Sequence, residues 1–379
     1  TVSVLYCELP CFQPTLASPV CCTLRVIAAT LITPPLHRPF RHRMLLTRRL
    51  FDTQAARVAT TPPRITPIPH FPPMLVTFVR HSETTNNVLA AEMGANREGF
   101  ETKRHPDAPL TERGHEQAER VGARIAEENG KDLSLVVTSY FHRAMSTASA
   151  IERAVKQRYP ASKMAVRVDR DFHECGGLYR AEPLPERAAQ PPPAMSKRTH
   201  GVQLKAGKSA GEKYRFLPIP GRTIEEVQAE FPTFTFTKAQ GCETGWWKGH
   251  SRETLAESRR RALYLWYRLT TLARMEEHQS IVVVTHGHLY ALMMHEAADR
   301  GFFNGPQPTP ATEQRIQNTG VTRVVLQPMP IPASDGEGVL SVEGQMLQRL
   351  PPAHLTLDLE CCGAHVEDLG ALPASNLPV

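Results

Sequence analysis

Arg80 and His81 stand at the end of an apolar run, Val76-Thr77-Phe78-Val79, and Asn87 follows six residues after the histidine. A second run, Ser280-Ile281-Val282-Val283-Val284-Thr285, leads straight into His286-Gly287-His288. β-Branched runs of this length suit buried strands of a parallel sheet, and open α/β sheets bind ligands outside the carboxyl ends of such strands. Two imidazoles and a guanidinium delivered to one edge would form an anion site. A neutral imidazole is a competent nucleophile near pH 7, because its unperturbed pKa is about 6.5. Arginine adds a planar fork of N–H donors that matches phosphate oxygens. Phosphoryl transfer needs this kind of set: an in-line nucleophile, with positive charge on the equatorial oxygens.

Four further segments accompany the two strand ends. Asp107-Ala108-Pro109-Leu110-Thr111-Glu112-Arg113-Gly114 precedes Gln117-Ala118, and Ser139-Tyr140-Phe141-His142-Arg143-Ala144 precedes Thr147-Ala148. His173-Glu174 follows a third short apolar run, and Asn318-Thr319-Gly320-Val321-Thr322 opens a late one. In this order and spacing, over about residues 74–357, the set resembles the histidine phosphatase superfamily, in its phosphoglycerate mutase-like branch with an R-H-G-E signature. The resemblance implies a three-layer α/β/α sandwich with a mostly parallel central sheet and an inserted cap. It implies a metal-independent phosphomonoesterase with no cofactor, acting through phosphohistidine on a phosphorylated small molecule or phosphoprotein.

Residue by residue, His81 is the expected nucleophile. Arg80, Arg143 and His286 would hold the phosphate, with His286 a cationic or neutral donor, and Asn87 would bond either the phosphate or the nucleophilic ring. Backbone N–H groups would be added by the helix starts after His81 and at Gly287. Glu174 falls where the family keeps its proton donor; it would protonate the leaving oxygen and then take a proton from the hydrolytic water. Ser82 stands where the family has glycine. Glu83 reads as a structural acceptor that orients the loop. The mutases of the superfamily carry an Arg-rich stretch ending in P-P-P. Here Arg187 precedes Pro191-Pro192-Pro193 among residues that do not match, which favours a phosphatase over a mutase or bisphosphate-handling enzyme. An inactive phosphate-binding scaffold is the reading from a different class; decay usually removes a His or an Arg, and all four are present. His286-x-His288 has no Asp, Glu or Cys partner at ligand spacing, so it does not read as a metal site. His288 and His295 read as packing or surface residues, and the Trp246-Trp247 pair beside Cys242 as buried packing, with pocket lining the alternative.

The elements that must position these groups alternate from Met74 onward. Strands are expected at about 74–79, 133–138, 164–168, 280–285 and 321–326. Helices are expected at about 86–97, from the Thr111 cap to Asn129, at 141–159, from the Thr254/Glu257 capping box to about Glu277, and from His286 to about Asp299. Trp266 falls on the buried face of the fourth helix. Residues 176–250 are rich in Gly and Pro and hold a basic cluster from Lys197 to Arg222; a Thr223/Glu226 capping box predicts one helix there. A hairpin is expected through Asp335-Gly336-Glu337-Gly338.

The 379 residues carry 44 Lys and Arg against 38 Asp and Glu. Eight arginines before residue 74 oppose only Glu8 and Asp52, which leaves 36 basic against 36 acidic residues after it. This charge balance from residue 74 onward, where the main domain is expected over 74–360, argues against a nucleic-acid partner. Residues 1–73 are Pro- and Arg-rich and read as a disordered extension or targeting leader; residues 361–379 read as a flexible tail. The eight cysteines show no C-x-x-C spacing, which suits a reduced, intracellular protein. No run approaches the roughly 20 apolar residues of a membrane span. The expected location is cytoplasmic, or mitochondrial if translation starts at or before Met44.

Overall fold

The computed structural model describes residues 71–184, 213–237, 242, 244–249, 251–275, 277–308, 316–330, 352–363 and 365. Residues 1–70, the Arg187 to Pro193 echo, the basic residues of 197–212, the 335–338 hairpin and residues 366–379 lie outside them.

The chemistry-bearing strands are β1 (Met74–Arg80), β2 (Leu133–Thr138), β3 (Ala165–Val168) and β7 (Ser280–Thr285). They form one seven-stranded sheet in the order β6-β3-β2-β7-β1-β8-β9, completed by β6 (Thr235–Phe236), β8 (Val321–Pro328) and β9 (Ala353–Cys362). From β6 to β1 the neighbours are parallel; β8 pairs antiparallel with β1 on one side and with β9 on the other. The fold is the expected mostly parallel α/β sandwich. Every residue of β7 is buried, as a central parallel strand with helices on both faces requires.

The period of two decides which layer each side chain serves. Val76, Phe78, Ile281 and Val283 face one core, with Leu265, Trp266 and Leu269 of α6 (Leu255–Arg274) and Met293 of α7 (Gly287–Asp299). Val79, Val282 and Val284 face the other, with Val121 and Ile125 of α3 (Glu112–Glu128) and Ala148 and Ile151 of α4 (His142–Arg158). The Phe78 ring meets Trp266 at 5.6 Å and Tyr290 at 6.1 Å, both edge-on. Phe78→Ala would therefore remove about 3–5 kcal/mol. Trp266 Nε1 donates to the Met293 carbonyl at 2.7 Å, which satisfies the indole within the core.

The helix expected over 86–97 is two helices, α1 (Thr85–Met93) and α2 (Arg97–Lys103). Gly94 ends α1 with φ +52°, and the Asn96 side chain caps α2 by accepting from Gly99 N. The segment after residue 176 holds the antiparallel pair β4 (Tyr179–Pro183) and β5 (Tyr214–Pro218) and the expected helix α5 (Ile224–Glu230). It also supplies β6 to the main sheet, against Arg167 and Val168. Among the described residues no helix is long and apolar enough to cross a membrane.

Candidate active site

Register brings the two histidines together. Arg80 pairs with Thr285 across β1 and β7, so His81 and His286 are the next residues on adjacent parallel strands. His81 N–H donates to the Thr285 carbonyl at 3.0 Å, and the two ring centroids lie 5.2 Å apart. Asn318 and Thr319 latch the same turn. The Asn318 amide donates to the His81 carbonyl at 2.9 Å, and Thr319 N–H to the Arg80 carbonyl at 3.0 Å. Thr319 does so at φ 57°, unusual for a β-branched residue.

His81 Nδ1 lies 2.8 Å from the Ser82 carbonyl. A carbonyl only accepts, so Nδ1 carries the proton and Nε2 carries the lone pair. Arg143 Nε donates towards that Nε2 at 3.3 Å. Burial, then the charges of Arg143 and Arg80, hold the His81 pKa well below its ordinary value. The ring is neutral at pH 7 with its nucleophilic atom defined.

Arg143 is buried against the Phe141 ring, 4.0 Å from its centroid, and its Nη1 is 3.8 Å from Asp107. Burial lowers its pKa to about 10 against the opposing pull of Asp107 and Glu174, which leaves it cationic. Arg80 Nη1 donates to the Ile316 carbonyl at 2.8 Å. Gly287 opens α7 beside that guanidinium; a Cβ there would meet it at 3.5 Å, an ordinary contact.

His286 is fully buried, with Nε2 2.8 Å from Ser139 Oγ and Nδ1 without a partner. Burial, then Arg143 and the other nearby cationic groups, depress its pKa well below 6.5. The depressed pKa favours the neutral one of the two expected donor forms. Ser139 follows β2 directly, so the strand-end logic that finds His81 and His286 also finds this residue.

Glu174 docks on the start of α7, the helix that follows His286. Its Oε1 accepts from Cys175 N at 2.8 Å and Leu289 N at 3.1 Å, and Oε2 is 3.5 Å from His288 N. Burial pushes its pKa up, but His288, Arg143, the Cys175 N–H and Arg80 outweigh this and hold it below the ordinary carboxylate value. His288, read from sequence as packing or surface, therefore stands beside the expected acid. His295 instead pairs with Asp299 at 3.1 Å.

Asn87 is tied into the start of α1. Its Oδ1 accepts from Thr84 N at 3.0 Å and Thr84 Oγ1 at 2.8 Å, closing a capping box. Glu83 is buried, accepts from Thr111 Oγ1 at 2.7 Å and lies 3.4 Å from Arg113. Gly114 passes so close that a Cβ would sit 2.0 Å from the Glu83 carbonyl oxygen. Asp107 accepts from His142 N–H through both oxygens, at 3.0 and 3.2 Å, and so caps α4 from a distance. Its pKa is raised, burial outweighing Arg143 and the His142 N–H. Trp246 is buried, stacked on Tyr140 at 5.8 Å. Among the described residues no three His, Cys, Asp or Glu side chains converge as metal ligands would.

Residues 76–217 match the family model described as histidine phosphatase superfamily (branch 1). The match supports phosphatase or mutase-like chemistry in general terms. No curated protein sequence matches. Among solved structures, mycobacterial hydrolase 1 is 19% identical, covering 77% of this chain and 100% of that one, with a TM-score of 0.38. The mycobacterial glucosyl-3-phosphoglycerate phosphatase is 17% identical, with coverages of 77% and 100% and a TM-score of 0.37. The phosphoserine phosphatase of Entamoeba histolytica, solved with 3-phosphoglyceric acid, is 17% identical, with coverages of 77% and 99% and a TM-score of 0.37.

Proposed function

We propose that this member of the histidine phosphatase superfamily is a metal-independent phosphomonoesterase that works through a phosphohistidine at His81. The observation that carries the reading is the His81 ring: Nδ1–H is held by the Ser82 carbonyl, and the unprotonated Nε2 is faced by the Arg143 guanidinium.

Nε2 attacks phosphorus as the bond to the leaving oxygen breaks. Arg80 and Arg143 bring to the equatorial oxygens the positive charge that metals supply elsewhere, and neutral His286 donates a hydrogen bond to them from Nδ1. Glu174 gives its proton to the leaving oxygen. Its pKa is held below the ordinary carboxylate value, but a bound phosphate adds negative charge and offsets the arginines, and both effects raise that pKa. Water then attacks phosphorus, the P–N bond breaks, Glu174 takes the water's proton, and His81 is restored. The substrate is a phosphorylated small molecule or phosphoprotein, and the insertion expected over 176–250 would set its selectivity.

The test is to trap the intermediate. The purified protein is mixed with a phosphate monoester and quenched in alkali, where phosphohistidine survives, and its peptides are mapped. Phosphate on His81 is expected; a labelled peptide elsewhere, or none during turnover, would sink the proposal.

A further inference from the structure

Glu174 sits in a loop that an ion pair grips on both sides. Arg261, in the second turn of α6, donates through Nη1 to the carbonyls of Asp171 at 2.8 Å and His173 at 2.9 Å. Its Nε and Nη2 form a two-pronged pair with Glu253, at 2.8 and 2.7 Å. Glu253 in turn holds the far side of the loop: its N–H donates to the Gly176 carbonyl at 3.0 Å, and its Oε2 accepts from Gly176 N at 3.3 Å. Ser258 Oγ donates to the same oxygen at 2.7 Å, and His173 Nε2 stands 3.6 Å from it. Positions 171, 173 and 176 are thus fixed around position 174 by one guanidinium and one carboxylate.

Both side chains are nearly buried, at 11% and 9% exposure. Burial opposes ionisation of each, yet their mutual pairing keeps Glu253 well below the ordinary carboxylate range and Arg261 above its usual value. A buried ion pair is costly to desolvate and adds little net stability compared with apolar packing. What it supplies here is direction, because a guanidinium fork makes four oriented bonds from one planar group.

We infer that Arg261 and Glu253 are positioning residues for proton transfer, acting through the placement of Glu174. The inference rests on the proposed acid role of Glu174. Arg261→Lys keeps the charge but cannot span Glu253 and two carbonyls at once. A displacement of about 1 Å costs on the order of 10²-fold in rate. That loss should fall on kcat for an alkyl phosphate, whose leaving oxygen needs a proton, and much less on nitrophenyl phosphate.

The experiment measures kcat and KM of the full chain on both substrates for wild type, Arg261→Lys, Glu253→Gln, Glu174→Gln and the double variant Glu174→Gln/Arg261→Lys. If the inference holds, Arg261→Lys or Glu253→Gln loses alkyl phosphate turnover selectively, and adding Arg261→Lys to Glu174→Gln costs nothing further. Equal losses on both substrates, or losses that multiply in the double variant, would show that the pair only supports the fold and would overturn the inference. Should Arg261→Lys fail to fold, Glu253→Gln, which keeps the shape and an acceptor oxygen, gives the same readout. Failure of the underlying reading looks different: Glu174→Gln itself, with the pair intact, would show no selective loss, and the inference would fall with it.

Discussion

His81 and His286 leave neighbouring parallel strands at the same level, and neither ring is protonated at neutral pH. One offers a lone pair at Nε2 and the other a buried nitrogen without a partner, across a gap of 5.2 Å between centroids. The pairing follows from backbone register, so it does not depend on either imidazole holding the other in place.

His81→Ala should therefore abolish turnover while the domain stays folded. The substitution removes two side-chain hydrogen bonds, one to the Ser82 carbonyl and one from Arg143 Nε, worth about 0.5–3 kcal/mol each, and no strand pairing. Thermal unfolding should shift by a few degrees with activity at background. Retention of a tenth of wild-type activity would falsify the nucleophile assignment.

Stability should decline as the medium is acidified from pH 7.5 to 5.5. His81, His286 and His173 are buried with depressed pKa values, burial being the first cause in each and a nearby arginine the next. In the unfolded chain the same rings take up protons below about pH 6.5, so the unfolded state binds more protons and gains on acidification. The stability is fully present above that pH and is lost as pH falls towards the folded values. Each ring that stays neutral contributes up to about 1.4 kcal/mol per pH unit in this window. Denaturant titrations at the two pH values should show it; a stability that rises on acidification would contradict the burial of these rings.

Two glycines beside the site should respond oppositely to alanine. Gly114→Ala drives a Cβ to 2.0 Å from the Glu83 backbone oxygen, so α3 or the loop after His81 must move. About 1–3 kcal/mol of overpacking and a clear loss of kcat are expected. Gly287→Ala places its Cβ at 3.5 Å from the Arg80 guanidinium and should be folded and active. Differential scanning calorimetry and steady-state rates on the pair decide it, and a stable, fully active Gly114→Ala would mean that the loop contact is irrelevant.

How much of this was legible beforehand follows from what each feature leaves in the sequence. Ser280–Thr285 announces a buried strand by composition, and the residue after it is placed by the strand, so His286 could be read directly. Thr84 and Asn87 have the spacing of a helix cap, which is the role the Asn87 oxygen fills; the expectation of a phosphate contact came from resemblance instead. The helix over 86–97 was read through Gly94 because the break depends on a backbone angle. Two-residue β6 is too short to show a period, and its place beside β3 comes from the tertiary structure. Arg261 and its partners at Asp171 and His173 lie about ninety residues apart, so no local pattern marks them.

Chelation should leave the rate unchanged, while vanadate should inhibit competitively by imitating five-coordinate phosphorus. Arg80 and Arg143 already place two cations at the site, and Arg143 stays charged with its pKa near about 10. Activity lost in chelator and restored by zinc or magnesium would instead favour a metal at His286 and His288.

The identity of the acid is the sharpest question, because two carboxyls flank Arg143. Asp107 has the raised pKa that a proton donor wants, but both its oxygens accept from His142 N–H at the start of α4. Glu174 has a lowered pKa, yet it accepts from the helix start that follows His286, where an arriving phosphate would raise it. General acid catalysis contributes about 10²–10⁴ in rate when the leaving oxygen is basic, and little when it leaves as a stabilised nitrophenolate. Glu174→Gln should therefore depress alkyl phosphate hydrolysis far more than nitrophenyl phosphate hydrolysis. On the latter, phosphohistidine should accumulate, because the base for its hydrolysis is gone. Asp107→Asn should weaken the α4 cap and the placement of Arg143, and so lower both rates together. The reverse pattern, with selectivity in Asp107→Asn and uniform loss in Glu174→Gln, would move the acid role to Asp107.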